Sequence, residues 1–339
     1  MTPSPPPGAH AMSIHLVQFQ QGLSMMEFMQ LYGTEAKAYR ALYKARWPHG
    51  FRCPACGDRR RSRFRRGRQV YYQCRACRHQ TTLLSGTIFE ATKLPLRTWL
   101  LAIHLLTATK TNMAALELKR HLGVDYKAAW RIKHKVMQAM AAREAPRQLS
   151  GFVQIDDAYQ GGERNGGKPG RGSENKQAFL IAVQTDAALE HPTYAVIEPV
   201  RSFDNDSIKD WQARHLAPDA EVFSDGLFCF RRFADAGHAH TTNGSPQGTV
   251  LETGGGRAAC EAQGARWVNV LLSNLKRAIS GSYHAIRQGK YARLYLAEAA
   301  YRFNRRFRLR EMLPRLARAM MLCKPHPEPV LRMASNFHG

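Results

Sequence analysis

The sequence predicts an α/β protein, with a mixed sheet flanked by helices in its second half and a small cysteine-clamped module followed by helices in its first. Three observations carry this. Four of the seven cysteines fall in two CxxC pairs, Cys53/Cys56 and Cys74/Cys77. Residues 93–142 repeat apolar side chains at helical spacing. Beyond Pro146, short strand-like runs arrive in quick succession, followed by a helix, another strand and another helix.

At 339 residues the chain is long enough for two or three domains. It carries 50 Lys+Arg against 26 Asp+Glu, a formal net charge of +24, with an ordinary 44% of hydrophobic residues. The charge therefore sits on a folded scaffold, not on a disordered polycation. Such an excess favours a polyanionic partner, nucleic acid before an anionic membrane surface. No run approaches ~18 consecutive apolar residues. Residues 1–21 lack the pattern of a secretory signal, and the cysteine count is odd. Together these predict a soluble, cytoplasmic protein with no membrane partner.

Taken in order, the proline-rich residues 1–22 predict a disordered extension. Within 23–50, Phe28, Leu31, Tyr32, Ala38, Leu42 and Tyr43 recur at helical spacing around Gly33, giving two short helices that Trp47-Pro48 ends. Residues 51–90 hold the cysteine pairs, with seventeen residues between them. Each pair can present two thiolates from a tight turn, and four complete the tetrahedral shell of a structural Zn²⁺. The result is a zinc ribbon, in which metal replaces a core that ~40 residues could not supply. Redox dithiols are the alternative, but a redox CxxC needs no spaced partner. Between Cys56 and His79 lie nine arginines and one acid, Asp58, interleaved with Phe64, Tyr71 and Tyr72. Arg59, Arg60, Arg61, Arg63, Arg65, Arg66 and Arg68 are the candidate DNA-phosphate contacts.

Residues 91–148 read as helix, a break at Leu122-Gly123-Val124, and a basic second helix, the helix-turn-helix pattern, although many helical hairpins share it. On this reading Lys127, Arg131, Lys133, His134 and Lys135 form the exposed, DNA-facing side, with Trp130 and Ile132 in the core. Residues 149–310 supply the sheet: strands over 151–157, 178–184 and 194–198, a helix over 205–216, a short strand over 221–224, and a helix over 266–279. The glycine-rich segment 161–176, with Arg164, Lys168, Arg171 and Lys176, reads equally as a loop closing over DNA or a tolerated insertion. Cys229, Cys260 and Cys323 read as buried free thiols. Residues 311–339 form a C-terminal helical tail.

Asp156 lies at the end of the first of these strands, and Asp225 follows the fourth. On neighbouring strands two carboxylates can bridge divalent metals ~4 Å apart, activating a water or 3′-hydroxyl on one side of a phosphodiester and stabilising the leaving oxygen on the other. Strand-end aspartates are also common turn formers, and periodicity leaves open whether Asp156 or Asp157 is the ligand. The last helix puts Asn269 and Lys276 two turns apart on one face. The first can offer an amide oxygen to a metal, and the second can hold a phosphate.

Several linked stretches resemble the ISXO-like insertion-sequence transposases over about residues 12–310. They are Tyr72-Gln-Cys-Arg-Ala-Cys-Arg-His-Gln-Thr-Thr, Ser85-Gly-Thr-Ile-Phe, Thr92-Lys-Leu-Pro-Leu-Arg-Thr-Trp99, Leu116-Glu-Leu-Lys-Arg, and Leu122-Gly-Val with Ala129-Trp-Arg-Ile-Lys-His-Lys135. In the second half follow Ile155-Asp-Asp-Ala-Tyr-Gln-Gly-Gly162, Ser224-Asp-Gly226, Leu275-Lys-Arg-Ala-Ile-Ser-Gly-Ser-Tyr-His284 and Tyr301-Arg-Phe-Asn-Arg305. The resemblance implies an RNase H-like catalytic domain of the DDE class behind the ribbon and the helix-turn-helix. It further implies a DNA transposase that binds the terminal inverted repeats of its element and performs two-metal-ion strand cleavage and transfer with Mg²⁺ or Mn²⁺. Carried over, the first acid falls on Asp156, the second on Asp225, the third ligand on Asn269 and the basic partner on Lys276; His284 is a further contact. The family often has Glu where Asn269 stands, though some branches carry Asn, and it usually has Glu where Asp157 stands. Asn for Glu removes one formal negative charge from the ligand set, so substrate phosphates or a carboxylate such as Glu252 or Glu261 would complete it. Double-stranded DNA, both repeats and target, is the implied partner, with a nucleoid-associated homo-oligomer on it. A non-catalytic DNA-binding regulator or decayed transposase is the alternative that Asn269 keeps open, and an RNA-directed nuclease is a third.

Overall fold

The computed structural model describes residues 21–67, 69–109, 111–161, 176–242, 266–283 and 288–334. Arg68, Glu252, Cys260, Glu261, His284, residues 1–20 of the extension and most of the 161–176 segment lie outside them.

Helix α1 (Met25–Tyr32) starts at a capping box: the Glu27 N–H donates to Ser24 Oγ at 3.2 Å, and the Ser24 N–H donates to the Glu27 carboxylate at 2.9 Å. Helix α2 (Glu35–Arg46) is capped by Thr34. Its first residue also serves another element. Helix α3 (Leu96–Ala108) has Pro95 at its N-cap and no side-chain cap of its own, and Glu35 accepts from the Leu96 and Arg97 N–H groups at 2.8 and 3.1 Å. A carboxylate from sixty residues away thus satisfies orphan donors and meets the positive end of the helix. Between α2 and α3 sits a three-stranded antiparallel sheet, β1 (Arg61–Arg66), β2 (Gln69–Cys74) and β3 (Gln80–Thr82), with Phe64 opposite Tyr71.

Helix α4 (Ala115–Leu122) ends at Gly123, whose left-handed φ of 64° allows the turn, and Asp125 caps α5 (Tyr126–Glu144) through the Ala128 N–H at 2.9 Å. The expected helix, glycine turn and helix are all present. The expected basic face is not. Consecutive helical residues point about 100° apart, so a run of basic residues wraps the cylinder instead of lining one side. Lys127 and Arg131, one turn apart, are exposed. Lys133 and His134 are 1% exposed, and Lys135 is half-buried with its ammonium donating to the Ile88 carbonyl at 2.7 Å. Lys133 and Lys135 are therefore interior groups and not a DNA-facing pair.

The second half holds a five-stranded sheet of order β6-β5-β4-β7-β8, from β4 (Phe152–Gln160), β5 (Gln177–Thr185), β6 (Pro192–Pro199), β7 (Glu221–Ser224) and β8 (His240–Thr242). β5 runs antiparallel to β4 and β6, while β7 runs parallel to β4 and β8 to β7. A mixed sheet so ordered is consistent with an RNase H-like domain. Helix α6 (Asn205–His215), a 3₁₀ turn at Phe228–Arg231 and the short α7 (Arg232–Asp235) cover one face, where Ile208, Trp211, Phe230 and Phe233 pack on Val153, Ile155, Leu180 and Ala182. Helices α8 (Arg266–Ser282) and α9 (Gln288–Phe303) cover the other, where Val268, Leu271, Leu275 and Leu296 pack on Phe179, Ile181 and Val183.

Helix α10 (Leu309–Leu322) returns to the first half, placing Leu313, Leu316, Met320 and Met321 in the core shared by α1, α2, α3 and the ribbon. The short α11 (Glu328–Arg332) lies on α5, with Arg131 to Glu328 at 3.6 Å. Among the described residues no helix is long and apolar enough to cross a membrane.

Candidate metal centres

The ribbon's two cysteine pairs fold into matching turns. The Gly57 N–H donates to the Cys53 carbonyl at 2.9 Å and the Arg78 N–H to the Cys74 carbonyl at 3.2 Å. Each turn closes on a left-handed residue four positions after its first cysteine, Gly57 at φ 78° and Arg78 at φ 62°. Thiol atoms of the four cysteines lie within 4.8 Å of one another, with Cys53 to Cys77 and Cys56 to Cys74 both at 3.6 Å. Sulfurs about 2.3 Å from a tetrahedral Zn²⁺ stand roughly 3.8 Å apart, so the set fits zinc, and it is far too open for a disulfide of about 2 Å. Burial raises the Cys53 thiol, but backbone N–H groups of Cys56 and Ala55 outweigh it and bring the thiol down to about 7. Arg59, Arg60, Arg61, Arg63, Arg65 and Arg66, leading into β1 and along it to the hairpin tip, are all exposed. Phe64 stacks on Tyr71 with centroids 5.6 Å apart, and Arg66 lies 5.3 and 5.2 Å from the two rings.

The second centre forms beside the end of β7, at the middle of β4: β4 runs on to Gln160, held by its pairing with β5, so Asp156 lies mid-strand and does not close the strand as the sequence suggested. The β4–β7 ladder pairs Gln154 with Phe223, and two residues further along each strand direction stand Asp156 and Asp225. One carboxylate oxygen each from Asp156, Asp157 and Asp225 lies within 4.8 Å of the others. Alternation along β4 sends Gln154, Asp156 and Ala158 towards α8, and Val153, Ile155 and Asp157 towards α6. Both aspartates nonetheless reach Asp225, just past the end of β7. Burial, then the Asp157 and Asp225 carboxylates, push the Asp156 carboxyl up to about 6 against the opposing pull of the Asp157 N–H and the Lys276 ammonium. Negative charge here is under-compensated by protein, the condition that an oxygen-seeking divalent cation relieves.

The turn after β7 explains the Ser224-Asp-Gly sequence. Gly226 takes φ 84°, its N–H donates to Ser224 Oγ at 3.2 Å, and Asp225 Oδ1 accepts from the Leu227 N–H at 3.1 Å. One aspartate oxygen fixes the turn, leaving the other available to the cluster.

Helix α8 is joined to this strand by a residue the sequence did not single out. Gln154, 3% exposed, accepts through Oε1 from the Trp267 and Val268 N–H groups at 3.0 and 3.2 Å. A strand side chain thus caps the helix two residues before the first aspartate. Asn269, in the first turn of α8, and Lys276, two turns on, are both exposed, and Lys276 is close enough to lower Asp156. Asp157 is the other contributor that spacing alone left undecided. The Tyr301–Arg305 stretch is structural: Asn304 bonds the Ala195 N–H and carbonyl at 2.7 and 2.9 Å and donates to Glu144 at 2.7 Å.

Residues 148–304 match a family model described as an ISXO2-like transposase domain, and residues 33–80 match a transposase zinc-ribbon domain. A relative from Halobacterium salinarum, an uncharacterized protein in transposable element ISH50, is 31% identical over 212 residues, which are 57% of this chain and 68% of the relative. No solved structure matches the chain significantly. A ribbon match, a transposase-domain match behind it and a relative from a mobile element agree, and the chain belongs to the ISXO2-like transposase family.

Proposed function

We propose that this transposase binds the terminal inverted repeats of an insertion sequence and cleaves and rejoins DNA strands at Asp156, Asp225 and Asn269. The observation that carries the reading is the three-aspartate cluster, set across two adjacent parallel strands, mid-strand in β4 and just past the end of β7, in a chain of net charge +24. Two Mg²⁺ or Mn²⁺ ions held there would polarise the scissile phosphate and lower the pKa of the attacking water or 3′-hydroxyl. Asp156 in the middle of β4 and Asp225 just past β7 hold the cluster's carboxylates on neighbouring strands. Asp157 brings in the carboxylate that a family Glu at position 269 would otherwise supply. Asn269 offers a neutral amide oxygen, and Lys276 steadies a phosphate beside Asp156. DNA is held outside this pocket by the exposed ribbon arginines and by Lys127 and Arg131 of α5. On this reading 51–90 is the ribbon, 91–148 the helix-turn-helix-like region and 149–310 the catalytic domain.

The test is a duplex carrying the element's terminal repeat, incubated with the zinc-loaded full chain. Nicking with added Mg²⁺ and none without it is expected, and Asn269→Ala should abolish strand transfer. Salt-sensitive binding with no nicking by the unmodified chain would leave a DNA-binding protein and remove the catalytic reading.

A further inference from the structure

Lys133 is among the largest fully buried side chains of the molecule. Its ammonium has three hydrogens and meets three acceptors: the Met113 carbonyl at 2.6 Å, the Tyr283 hydroxyl, and Glu298 at 3.7 Å. Tyr283 passes its own hydrogen on to Glu298 at 3.4 Å, and its ring lies 4.4 Å from the same ammonium. Both ends of the ion pair are 1% exposed. Burial lowers the Lys133 ammonium, and the Glu298 carboxylate opposes that shift. The three residues belong to three separate parts of the fold: Lys133 to α5, Glu298 to α9, and Tyr283 to the residue just past α8. A second set of bonds repeats the connection. Ser282 Oγ donates to the Asn112 carbonyl at 2.8 Å, and Arg302 of α9 donates to the Thr111 carbonyl at 3.1 Å and to Asn112 Oδ1 at 3.2 Å.

The far end of α8 is therefore tied to the helical region that precedes the sheet, as its near end is tied to β4 by Gln154. Between these two ties lie Asn269 and Lys276. A buried ion pair is weak evidence for stability, because hydrophobic residues of similar volume often serve as well; its defensible use is to specify one arrangement. We propose that Lys133, Tyr283 and Glu298 form a positioning joint that fixes the pitch of α8 against the DNA-binding half, and through α8 the stance of Asn269 and Lys276 over the aspartates. This rests on the metal-site reading above, and none of the three touches the reacting atoms.

The experiment compares zinc-loaded full-length chain with Tyr283→Phe, which keeps the ring and removes only the linking hydroxyl, and with the paired Lys133→Met/Glu298→Met, which removes both ends of the ion pair together. Three quantities are measured: Mn²⁺ affinity by the spectroscopic signal of free Mn²⁺, affinity for terminal-repeat DNA, and nicking at saturating Mn²⁺. In Tyr283→Phe, Mn²⁺ affinity and the saturated nicking rate should each fall about tenfold, as for the loss of a group that orients metal ligands from behind. DNA affinity should stay within about twofold, because the phosphate contacts are elsewhere. A merely structural role would shift thermal stability and leave Mn²⁺ affinity alone. Wild-type Mn²⁺ affinity in both variants overturns the joint. An unmodified chain that binds Mn²⁺ but never nicks overturns the catalytic reading instead, and the joint is then decided by Mn²⁺ affinity alone.

Discussion

In the ribbon, four sulfurs gather from two turns of one short sheet, with Cys53 and Cys77 only 24 positions apart. At the other centre, Asp156 and Asp157 meet Asp225 only after β5, β6 and α6 have intervened in the chain, and only because β4 and β7 align in parallel register. In both sets the ligand atoms lie within 4.8 Å of one another. What differs is what holds them together. Strand β1 buries none of its residues, and the buried Tyr72 of β2 packs outward on Trp47 and Phe51, so it is the metal that links the two cysteine turns to each other. The aspartates sit on a sheet with a packed core on each face, so there the protein organises the site and tolerates its like charges.

Removing the ion breaks this comparison most severely. Stripping zinc, or Cys56→Ser, should unfold residues 51–82, since structural zinc contributes on the order of 10 kcal/mol in small modules. Circular dichroism and limited proteolysis would register it, and DNA binding should go with it. A ribbon that stays protease-resistant without zinc would refute the contrast. At the second centre Asp156→Asn should do the opposite to stability. It is expected to cost on the order of 10³-fold in Mg²⁺-dependent nicking while raising the thermal midpoint of the metal-free chain, because one of three crowded charges is gone. A lowered midpoint would mean that the cluster is held by something other than the sheet.

Glu198 shows what happens to a buried carboxylate that does have partners. Burial raises it, but hydrogen bonding and charge from His215, then Arg214 at 2.8 Å, outweigh burial and bring it down to about 2 from 4.5. The folded value lies below the unfolded one, so this stabilisation is present above about pH 4.5 and fades as the pH falls towards 2, by about 3 kcal/mol at most. Thermal midpoints measured across that window should drop, and Glu198→Gln should flatten the drop. The smallest effect is expected at Gln154→Leu, which strands the Trp267 and Val268 N–H groups. Losing such a cap costs about 1–2 kcal/mol, read from denaturant midpoints, and an unchanged midpoint would show that α8 needs no tie to β4.

Much of this was legible in the chain. The cysteine spacing gives the ribbon, and the short strand Glu221–Ser224 occurs where alternation places it. The helix carrying Asn269 and Lys276 forms where the pattern puts it, whereas Asp156 lies mid-strand because β4 continues to Gln160. β8 was not legible, since three residues form no period and gain their place by pairing with β7. Nor was the interior position of Lys133: a basic residue in a basic run looks solvated until α9 brings Glu298 against it. Gln154, and the joining of Asp157 to Asp156 in one cluster instead of a choice between them, escaped for a related reason. Neither residue type nor spacing tells which strand side chains end beside another element; only the sheet order does.

Asn304 carries one more consequence. Its amide occupies both the donor and the acceptor that Ala195 turns outward from β6, the outermost strand on that side, and Arg306 takes the Thr193 carbonyl at 3.3 Å next to it. Side chains thus fill the berth where an incoming strand would have to dock. At this end of the border an added strand would find the backbone groups of Thr193 and Ala195 already taken.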